Sequence, residues 1–220
     1  MQTKKLYIIG AGGFGREVAW LVERINSVEP TWDLQGFIDD NKAVHGLMEG
    51  GYPVVGGCDF LEKCKEEIWV VCAIGAAAVR KLVVEKVKGI AHVKFATLID
   101  PSAMMSSRVS LGEGCIICAG NIFTVDISIG NHVIVNLDCT IGHDAMIKDF
   151  VTIYPGVHVS GNVIAEECVE LGTGTQIIQG KKIENGTIVG AGAVVTKDLP
   201  GRCTAVGAPA KPIKFFDERV

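Results

Sequence analysis

Apolar residues recur at every sixth position from Ile99 to Val195. Sixteen of the seventeen residues at these positions are large and apolar: Ile99, Met105, Leu111, Ile117, Phe123, Ile129, Val135, Ile141, Ile147, Ile153, Val159, Leu171, Ile177, Ile183, Val189 and Val195, with Ala165 as the exception. Neither the period of an α-helix nor the alternation of a strand produces this register. A short fixed period indicates one small unit stacked many times. The pattern predicts a β-solenoid with three blocks in each triangular coil.

Within each block, the fifth position is mostly small or β-branched, which supports the same register. Asn121 and Lys181 depart from this pattern, and we expect them where a coil bulges or a loop leaves it. Glycine often follows the leading residue, as in Leu111-Gly112 and Ile141-Gly142. We expect these glycines to supply the positive φ that tight corners need.

Before the repeat, residues 4–97 carry apolar runs separated by helical patterns. Strands are predicted at 6–9, 34–40 and 68–74, and helices at 17–24 and 78–87. Alternating strands and helices indicate a parallel sheet of βαβ units. The sequence therefore predicts two domains: an α/β Rossmann-like domain over residues 1–97, and an all-β parallel β-helix with a C-terminal tail over residues 98–220.

A glycine-rich turn, Gly10-Ala11-Gly12-Gly13-Phe14-Gly15, follows the first predicted strand and opens a helix. Such a turn brings a phosphate group close to backbone N–H groups at the helix N-terminus. Asp39 and Asp40 end the second strand, as ribose-binding acids do in dinucleotide enzymes. The chain before the repeat is long enough for only one of the two mononucleotide-binding halves of a dinucleotide fold, so a nucleotide is the expected ligand. The alternative is that the glycines serve only a tight turn and helix packing.

The composition of the chain excludes several classes of binding partner. A net charge of −4 and a pI near 5.7 provide no basic surface for nucleic acid, and no apolar stretch is long enough to span a membrane. Eight cysteines without an export signal favour reduced thiols and a cytoplasmic location. Cys115 and Cys118 have CxxC spacing, but the register makes them packing residues, so no metal is expected.

Candidate chemistry lies in the segment Gly142-His143-Asp144, where an imidazole and a carboxylate occupy polar positions of a block. Residues one coil apart are separated by eighteen positions, which places Gly161 over His143. A histidine beside a bare backbone amide combines a general base with an oxyanion donor, as acyl transfer requires. The alternative is a solvated corner histidine with no role in catalysis.

These motifs, together with Phe37-Ile38-Asp39-Asp40, Ala73-Ile74-Gly75 and the closing Val206-Gly207-Ala208-Pro209-Ala210-Lys211, resemble a known family. They are similar to the left-handed β-helix acetyltransferases that modify sialic acid or nucleotide-linked amino sugars. The resemblance implies a left-handed coil, a homotrimer, a nucleotide sugar held by the N-terminal domain, and acetyl-CoA bound along the solenoid between subunits.

The resemblance also implies roles for single residues. It makes His143 the general base with Asp144 beside it, and it assigns contacts with the sugar nucleotide to Gly12, Gly13, Phe14, Asp39, Asp40 and Gly75. It assigns acetyl-CoA contacts to Thr152, Gly161, Thr173, Ala191 and Lys211. Three departures concern the substrate: Phe14 and Thr152 replace histidines found in relatives, and Ala76 and Ala77 stand where asparagine or aspartate is common.

The expected function is acetyl-CoA-dependent N-acetylation of a nucleotide-linked amino sugar in bacterial glycan biosynthesis. A sialic acid or other sugar O-acetyltransferase is the nearest alternative, because a histidine base serves either acceptor. A zinc enzyme of the γ-carbonic anhydrase type uses a similar solenoid, but the spacing of His132, His143 and His158 does not supply its ligands. A non-catalytic nucleotide-binding module is the remaining alternative.

Overall fold

The computed structural model describes residues 3–216. The first part of the chain forms strands and helices in the order β1 (Lys4–Ile9), α1 (Gly13–Val28), β2 (Trp32–Ile38), a 3₁₀ turn (Lys42–Val44), β3 (Met48–Glu49), β4 (Tyr52–Gly56), α2 (Asp59–Lys63), β5 (Ile68–Cys72), α3 (Ala77–Val87) and β6 (Val93–Phe95). The predicted strands and helices are present. The β3–β4 hairpin and α2 were not predicted.

The six strands of this part form one sheet in the order β3-β4-β2-β1-β5-β6, with β1 parallel to both β2 and β5. Successive residues of β1 point to opposite faces. Leu6 and Ile8 pack with α1, whereas Tyr7 and Ile9 pack with α2 and α3. The carboxyl ends of β1, β2 and β5 therefore meet at one edge, which is where an α/β sheet binds its ligands.

The repeat folds into seventeen short strands: β7 (Leu98–Ile99), β8 (Met104–Met105), β9 (Val109–Leu111), β10 (Ile116–Ile117), β11 (Ile122–Phe123), β12 (Ile127–Ile129), β13 (Ile134–Val135), β14 (Thr140–Ile141), β15 (Met146–Ile147), β16 (Thr152–Ile153), β17 (His158–Val159), β18 (Ile164–Ala165), β19 (Glu170–Leu171), β20 (Gln176–Ile177), β21 (Lys182–Ile183), β22 (Ile188–Val189) and β23 (Val194–Val195). The hairpin of β24 (Cys203–Val206) and β25 (Lys211–Phe215) follows.

The seventeen strands form three parallel sheets, which we call face 1 (β7, β10, β13, β16, β19, β22), face 2 (β8, β11, β14, β17, β20, β23) and face 3 (β9, β12, β15, β18, β21). Face 1 continues with β24, which is parallel to β22, and ends with β25, which is antiparallel to β24. Neighbouring strands pair eighteen residues apart, as in Ile116 with Ile134. The leading residues point inward and are buried from Ile117 onward. Ile99 is 39% exposed because the first coil has no coil beneath it. The prediction of a left-handed parallel β-helix is confirmed.

Glycines occur at the corners as the sequence indicates, but the predicted reason for them was wrong. Glycines that follow a leading residue, such as Gly112 and Gly142, lack positive φ, and they are needed because the next coil lies against them. A Cβ on Gly142 would lie 2.6 Å from the Gly161 nitrogen. Positive φ occurs two residues further along, where Asp, Asn or Gly is common, as at Asp138 and Asp144.

The prediction of a bulge at Asn121 was also wrong, because the coil keeps its register there. The Asn121 side chain is fully buried, and its amide nitrogen donates to the carbonyl oxygen of Cys118 at 2.7 Å. Its amide oxygen accepts the Cys139 N–H of the next coil at 2.9 Å. Asn121 therefore bridges two coils. The coil is regular at Lys181 as well, whose carbonyl accepts the Ile164 N–H.

The α/β part packs on face 1. Ile116 and Ile134 of that face belong to the same apolar cluster as Val18 and Leu21 of α1. Arg24 of α1 makes a two-pronged ion pair with the buried Asp100, at 2.5 Å and 3.0 Å, which holds the pKa of that carboxyl down to about 2.

In the described part of the chain, no helix is both long and apolar enough to cross a bilayer.

Candidate active site

The imidazole of His143 and the carboxylate of Asp144 meet at the corner between faces 2 and 3. Asp144 has a φ of 60°, and this left-handed turn brings two adjacent side chains together that would point apart along a strand. His143 Nδ1 lies 2.8 Å from Asp144 Oδ2, and each side chain is about half exposed. With Nδ1 donating to the carboxylate, Nε2 of the neutral ring is free to accept a proton.

Gly161 lies on the next coil at the same corner, as the eighteen-residue spacing predicts. A Cβ on Gly161 would lie 2.5 Å from both Nε2 and Cε1 of His143, so only glycine leaves room for the ring. The Asn162 N–H donates to the His143 carbonyl at 2.8 Å and fixes the two corners together. Within residues 3–216, no hydrogen bond from the Gly161 N–H is found. A base and an available backbone donor thus lie side by side.

The glycine-rich turn divides into two pairs of glycines. Gly10 has a φ of 105°, and a Cβ on Gly15 would overlap the Gly10 carbonyl, so these two serve the turn itself. Gly12 and Gly13 are exposed at the start of α1, and a Cβ on either would meet no atom of the described residues within 4 Å. Their lack of a side chain leaves open space beside the helix N-terminus. This favours a phosphate site over the alternative that all these glycines serve packing.

Asp39 and Asp40 flank this turn at the same edge of the sheet. Asp39 accepts the Ala11 N–H at 3.0 Å and so braces the glycine-rich turn. Asp40 accepts the Cys58 N–H at 2.8 Å and pairs with Lys86 at 2.9 Å. These two contacts, the Cys58 hydrogen bond first, hold the pKa of Asp40 below its usual range. Phe14 is partly buried against the apolar cluster of α1.

Gly75 follows β5 and contacts the β-helix. A Cβ on Gly75 would lie 3.4 Å from the Tyr154 hydroxyl, and the Gly75 carbonyl accepts the Thr152 hydroxyl at 2.7 Å. Thr152 is only 1% exposed. The structure thus places Thr152 at the junction of the two parts of the chain, and its predicted contact with acetyl-CoA stays a prediction.

Of the residues predicted to bind acetyl-CoA, Thr173, Ala191 and Lys211 are exposed and lie away from His143. Thr173 and Ala191 stack at the corner between faces 1 and 2, where the Gly192 N–H donates to the Thr173 carbonyl at 2.8 Å. Lys211 begins β25 at the end of face 1. The whole width of face 2 separates Thr173 and Ala191 from the corner that carries His143 and Gly161. A single chain therefore carries the predicted site as two separate half-sites: His143 with Gly161 at one corner, and Thr173 with Ala191 at another.

The cysteines behave as packing residues. Cys115 and Cys118 are buried, and burial raises the pKa of their thiols to about 11 and about 12. Among residues 3–216, no group of three or more His, Cys, Asp or Glu side chains is arranged to hold a metal ion.

Three polar residues at the junction were not identified from the sequence: Arg80, Tyr154 and Glu170. Glu170 accepts the Ala77 N–H at 2.9 Å and the Tyr154 hydroxyl at 3.1 Å. A signal was present for Glu170, because it occupies the outward position one coil beyond Thr152 on face 1. Arg80 lies in an apolar helix pattern, where nothing local distinguishes a buried arginine from an exposed one.

Comparisons with known proteins agree with this architecture. The PglD N-terminal domain family matches residues 5–87. GDP-perosamine N-acetyltransferase of Escherichia coli O157:H7 is 31% identical over 215 residues, which cover 94% of this chain and 95% of that protein.

Two solved structures extend the likeness to three dimensions. A histidine-to-asparagine mutant of perosamine N-acetyltransferase from Caulobacter crescentus, in complex with CoA and GDP-perosamine, has a TM-score of 0.87 at 30% identity, covering 97% of this chain and 98% of that one. The acetyltransferase domain of PglB from Neisseria gonorrhoeae FA1090, in complex with acetyl coenzyme A, has a TM-score of 0.85 at 31% identity, covering 96% and 100%.

An α/β domain joined to a β-helix of six-residue repeats, with a histidine and a carboxylate at one corner, defines a hexapeptide-repeat acetyltransferase. The chain belongs to the family that includes GDP-perosamine N-acetyltransferase, and it is an acetyltransferase that uses acetyl-CoA.

Proposed function

We propose that this enzyme transfers the acetyl group of acetyl-CoA to the amino group of a nucleotide-linked sugar. Residues 1–97 hold the nucleotide sugar, and residues 98–220 hold acetyl-CoA and carry the chemistry. The observation that carries the proposal is the His143–Asp144 pair under the free N–H of Gly161. The glycine-rich turn, with open space at Gly12 and Gly13, supports a nucleotide as the group through which the enzyme binds the acceptor.

In the proposed reaction, the amine nitrogen attacks the thioester carbonyl carbon while His143 Nε2 removes a proton from the nitrogen. The Gly161 N–H donates to the oxygen that becomes negative. The C–S bond then breaks, and the CoA thiolate takes the proton held by His143. Asp144 orients the ring through Nδ1 and stabilises it while it is protonated. The products are the N-acetylated sugar nucleotide and free CoA.

The names of the relatives favour an amine over a hydroxyl acceptor. The Escherichia coli and Caulobacter crescentus relatives are both perosamine N-acetyltransferases, and the latter was crystallised with GDP-perosamine. We propose an amino sugar of this chemical class as the acceptor, joined to a nucleoside diphosphate. O-acetylation of a sugar remains the alternative, because a histidine base acts on either group.

We further propose that the enzyme is a homotrimer located in the cytoplasm. The two half-sites lie at different corners of the triangular β-helix, so a neighbouring chain that brings one corner against another completes the site. Its eight free cysteines, six of them buried, are compatible with a reducing compartment.

Incubation of the purified enzyme with acetyl-CoA and a panel of GDP-, UDP- and dTDP-linked amino sugars tests the proposal. We expect CoA release together with a product heavier by one acetyl group, and the matching hydroxy sugars distinguish N- from O-acetylation. If no amino sugar nucleotide is acetylated and the enzyme binds acetyl-CoA, the proposed acceptor class is wrong.

His143→Ala tests the base directly. We expect turnover to fall by at least about a hundredfold, because general-base catalysis contributes on this scale. His92→Ala is a matched control, since His92 precedes β6 at the opposite edge of the sheet and hydrogen-bonds the Leu61 carbonyl. Near-normal turnover by a folded His143→Ala enzyme would contradict the assignment.

A further inference from the structure

The turn between β5 and α3, residues 73–77, is held in place at several of its backbone atoms by Arg80 of α3 and by two side chains of the β-helix. The carbonyls of Ile74 and Gly75 accept hydrogen bonds from Arg80, and the Gly75 carbonyl also accepts the hydroxyl of Thr152. The Ala77 N–H donates to Glu170. Two of these partners, Thr152 and Glu170, stack on face 1 one coil apart. The β-helix thus determines where this turn lies.

Arg80 is the centre of this network. It is 1% exposed, and its five N–H groups meet five backbone carbonyl oxygens. Two of those carbonyls belong to the turn, and the other three belong to His132, Phe150 and Val151 at the corner between faces 3 and 1. A planar guanidinium is suited to joining two backbones at fixed distances, since its donors are rigidly arranged. Each bond to a charged donor is also stronger than a neutral one.

The turn itself touches the predicted nucleotide site. A Cβ on Gly10 would lie 3.1 Å from the Ala73 carbonyl oxygen, so the turn packs directly against the glycine-rich turn. Gly75 lies at the same carboxyl edge of the sheet as Gly12 and Asp39. Movement of this turn would change the shape of the surface that the nucleotide sugar meets.

We propose that Arg80 and Thr152 are positioning residues for the sugar-nucleotide site, and that they hold the turn at Gly75 to the β-helix. The proposal rests on the proposed function, because it takes the carboxyl edge of the sheet as the acceptor site. It gives Thr152 a role on the acceptor side of the reaction. Weakening this network raises the KM for the nucleotide sugar and leaves the KM for acetyl-CoA unchanged.

Thr152→Val is the decisive variant, because valine keeps the shape of the side chain and removes only the hydroxyl that binds Gly75. We expect the KM for the nucleotide sugar to rise roughly fivefold, the scale of one lost buried hydrogen bond. Arg80→Lys is expected to raise the same KM further, since lysine offers three donors in place of five. Thr187→Val is the matched control, because Thr187 is also buried and its hydroxyl binds the Pro200 carbonyl far from the turn.

Hydrogen exchange of the peptide covering residues 73–79 provides a readout that needs no acceptor. We expect faster exchange there in Thr152→Val and not in Thr187→Val. A rise in the KM for acetyl-CoA alone would make Thr152 a cosubstrate contact and overturn the proposal, as would equal kinetics and exchange in the two variants. Absence of transfer by the wild-type enzyme to every amino sugar would contradict the proposed function instead, and the exchange comparison would still decide whether the turn is held.

Discussion

Gly161 is the residue whose identity is most tightly linked to the proposed chemistry. Its φ is not in the left-handed region, so its backbone accepts alanine, but the added Cβ would meet the half-exposed imidazole of His143 at 2.5 Å. The ring can rotate away into solvent at little cost to the fold. We therefore predict that Gly161→Ala lowers kcat at least about tenfold, through displacement of the base, while the melting temperature changes little.

Gly89→Ala is the matched control for this substitution, because a Cβ on Gly89 would meet nothing within 4 Å in the part of the chain that the structure describes. Steady-state kinetics and thermal unfolding of both variants make the comparison. A Gly161→Ala enzyme with normal kcat would show that the imidazole of His143 is not needed at the position seen here.

His132 provides a second prediction at this scale, concerning stability in acid. It is 5% exposed, lies between Phe95 and Phe150, and has a buried Nδ1 that finds no hydrogen-bond partner among residues 3–216. Burial, aided by the charge of Arg80, lowers its pKa to about 4. The unfolded chain binds this proton near pH 6.5, so stability is lost as the pH falls from there towards 4, by up to about 3 kcal/mol.

Urea unfolding at several pH values between 7 and 4 checks this prediction. In His132→Phe the group that titrates is absent, so we expect a shallower decline of the unfolding free energy with falling pH than in the wild-type chain. The carboxylates common to both chains cancel in the comparison. Parallel pH profiles for the two proteins would show that His132 does not take up its proton on unfolding.

At the scale of elements, the glycines of the glycine-rich turn before α1 have two different roles: Gly15 serves the structure of the turn, and Gly13 serves the proposed binding of a ligand. Gly13→Ala adds a Cβ to open space, so we expect unchanged or slightly higher stability, by no more than about 1 kcal/mol, and weaker binding of GDP or UDP. Gly15→Ala would overlap the Gly10 carbonyl and should cost about 2 kcal/mol or more. Calorimetric titration and urea unfolding distinguish the two, and equal nucleotide binding by Gly13→Ala and wild type would contradict the phosphate site.

The elements also show what a sequence pattern contains. The six-residue period determines which residues face inward and which lie eighteen residues apart, so the fold of the repeat and the pairing of His143 with Gly161 were predictable. The period does not say why a glycine occurs at a given corner, and so Gly142 was assigned to positive φ when close stacking explains it. Asn121 was misjudged because an amide satisfied across two coils has no local signal.

At the scale of the whole molecule, the least predictable feature is the junction between the two parts of the chain. Arg80 and Glu170 are ninety residues apart in sequence, and their roles depend on how α3 docks on face 1. The six-residue period of the β-helix and the strand–helix alternation of the α/β part are independent of each other, so neither pattern predicts that docking. The departures from the family at Ala76 and Ala77 fall in the turn that this junction holds.

The proposed homotrimer, with an active site shared between subunits, gives a prediction for the whole assembly. His143→Ala removes the base from the corner between faces 2 and 3, and Ala191→Glu blocks the corner between faces 1 and 2. Each variant alone should be inactive. In a closed cyclic trimer, every mixed assembly contains one interface that joins an intact His143 corner to an intact Ala191 corner. Co-refolding the two variants in equal amounts should therefore restore about one quarter of the wild-type activity. If acetyl-CoA instead lies across face 2 of a single chain, each chain has a defective site, and mixing restores nothing.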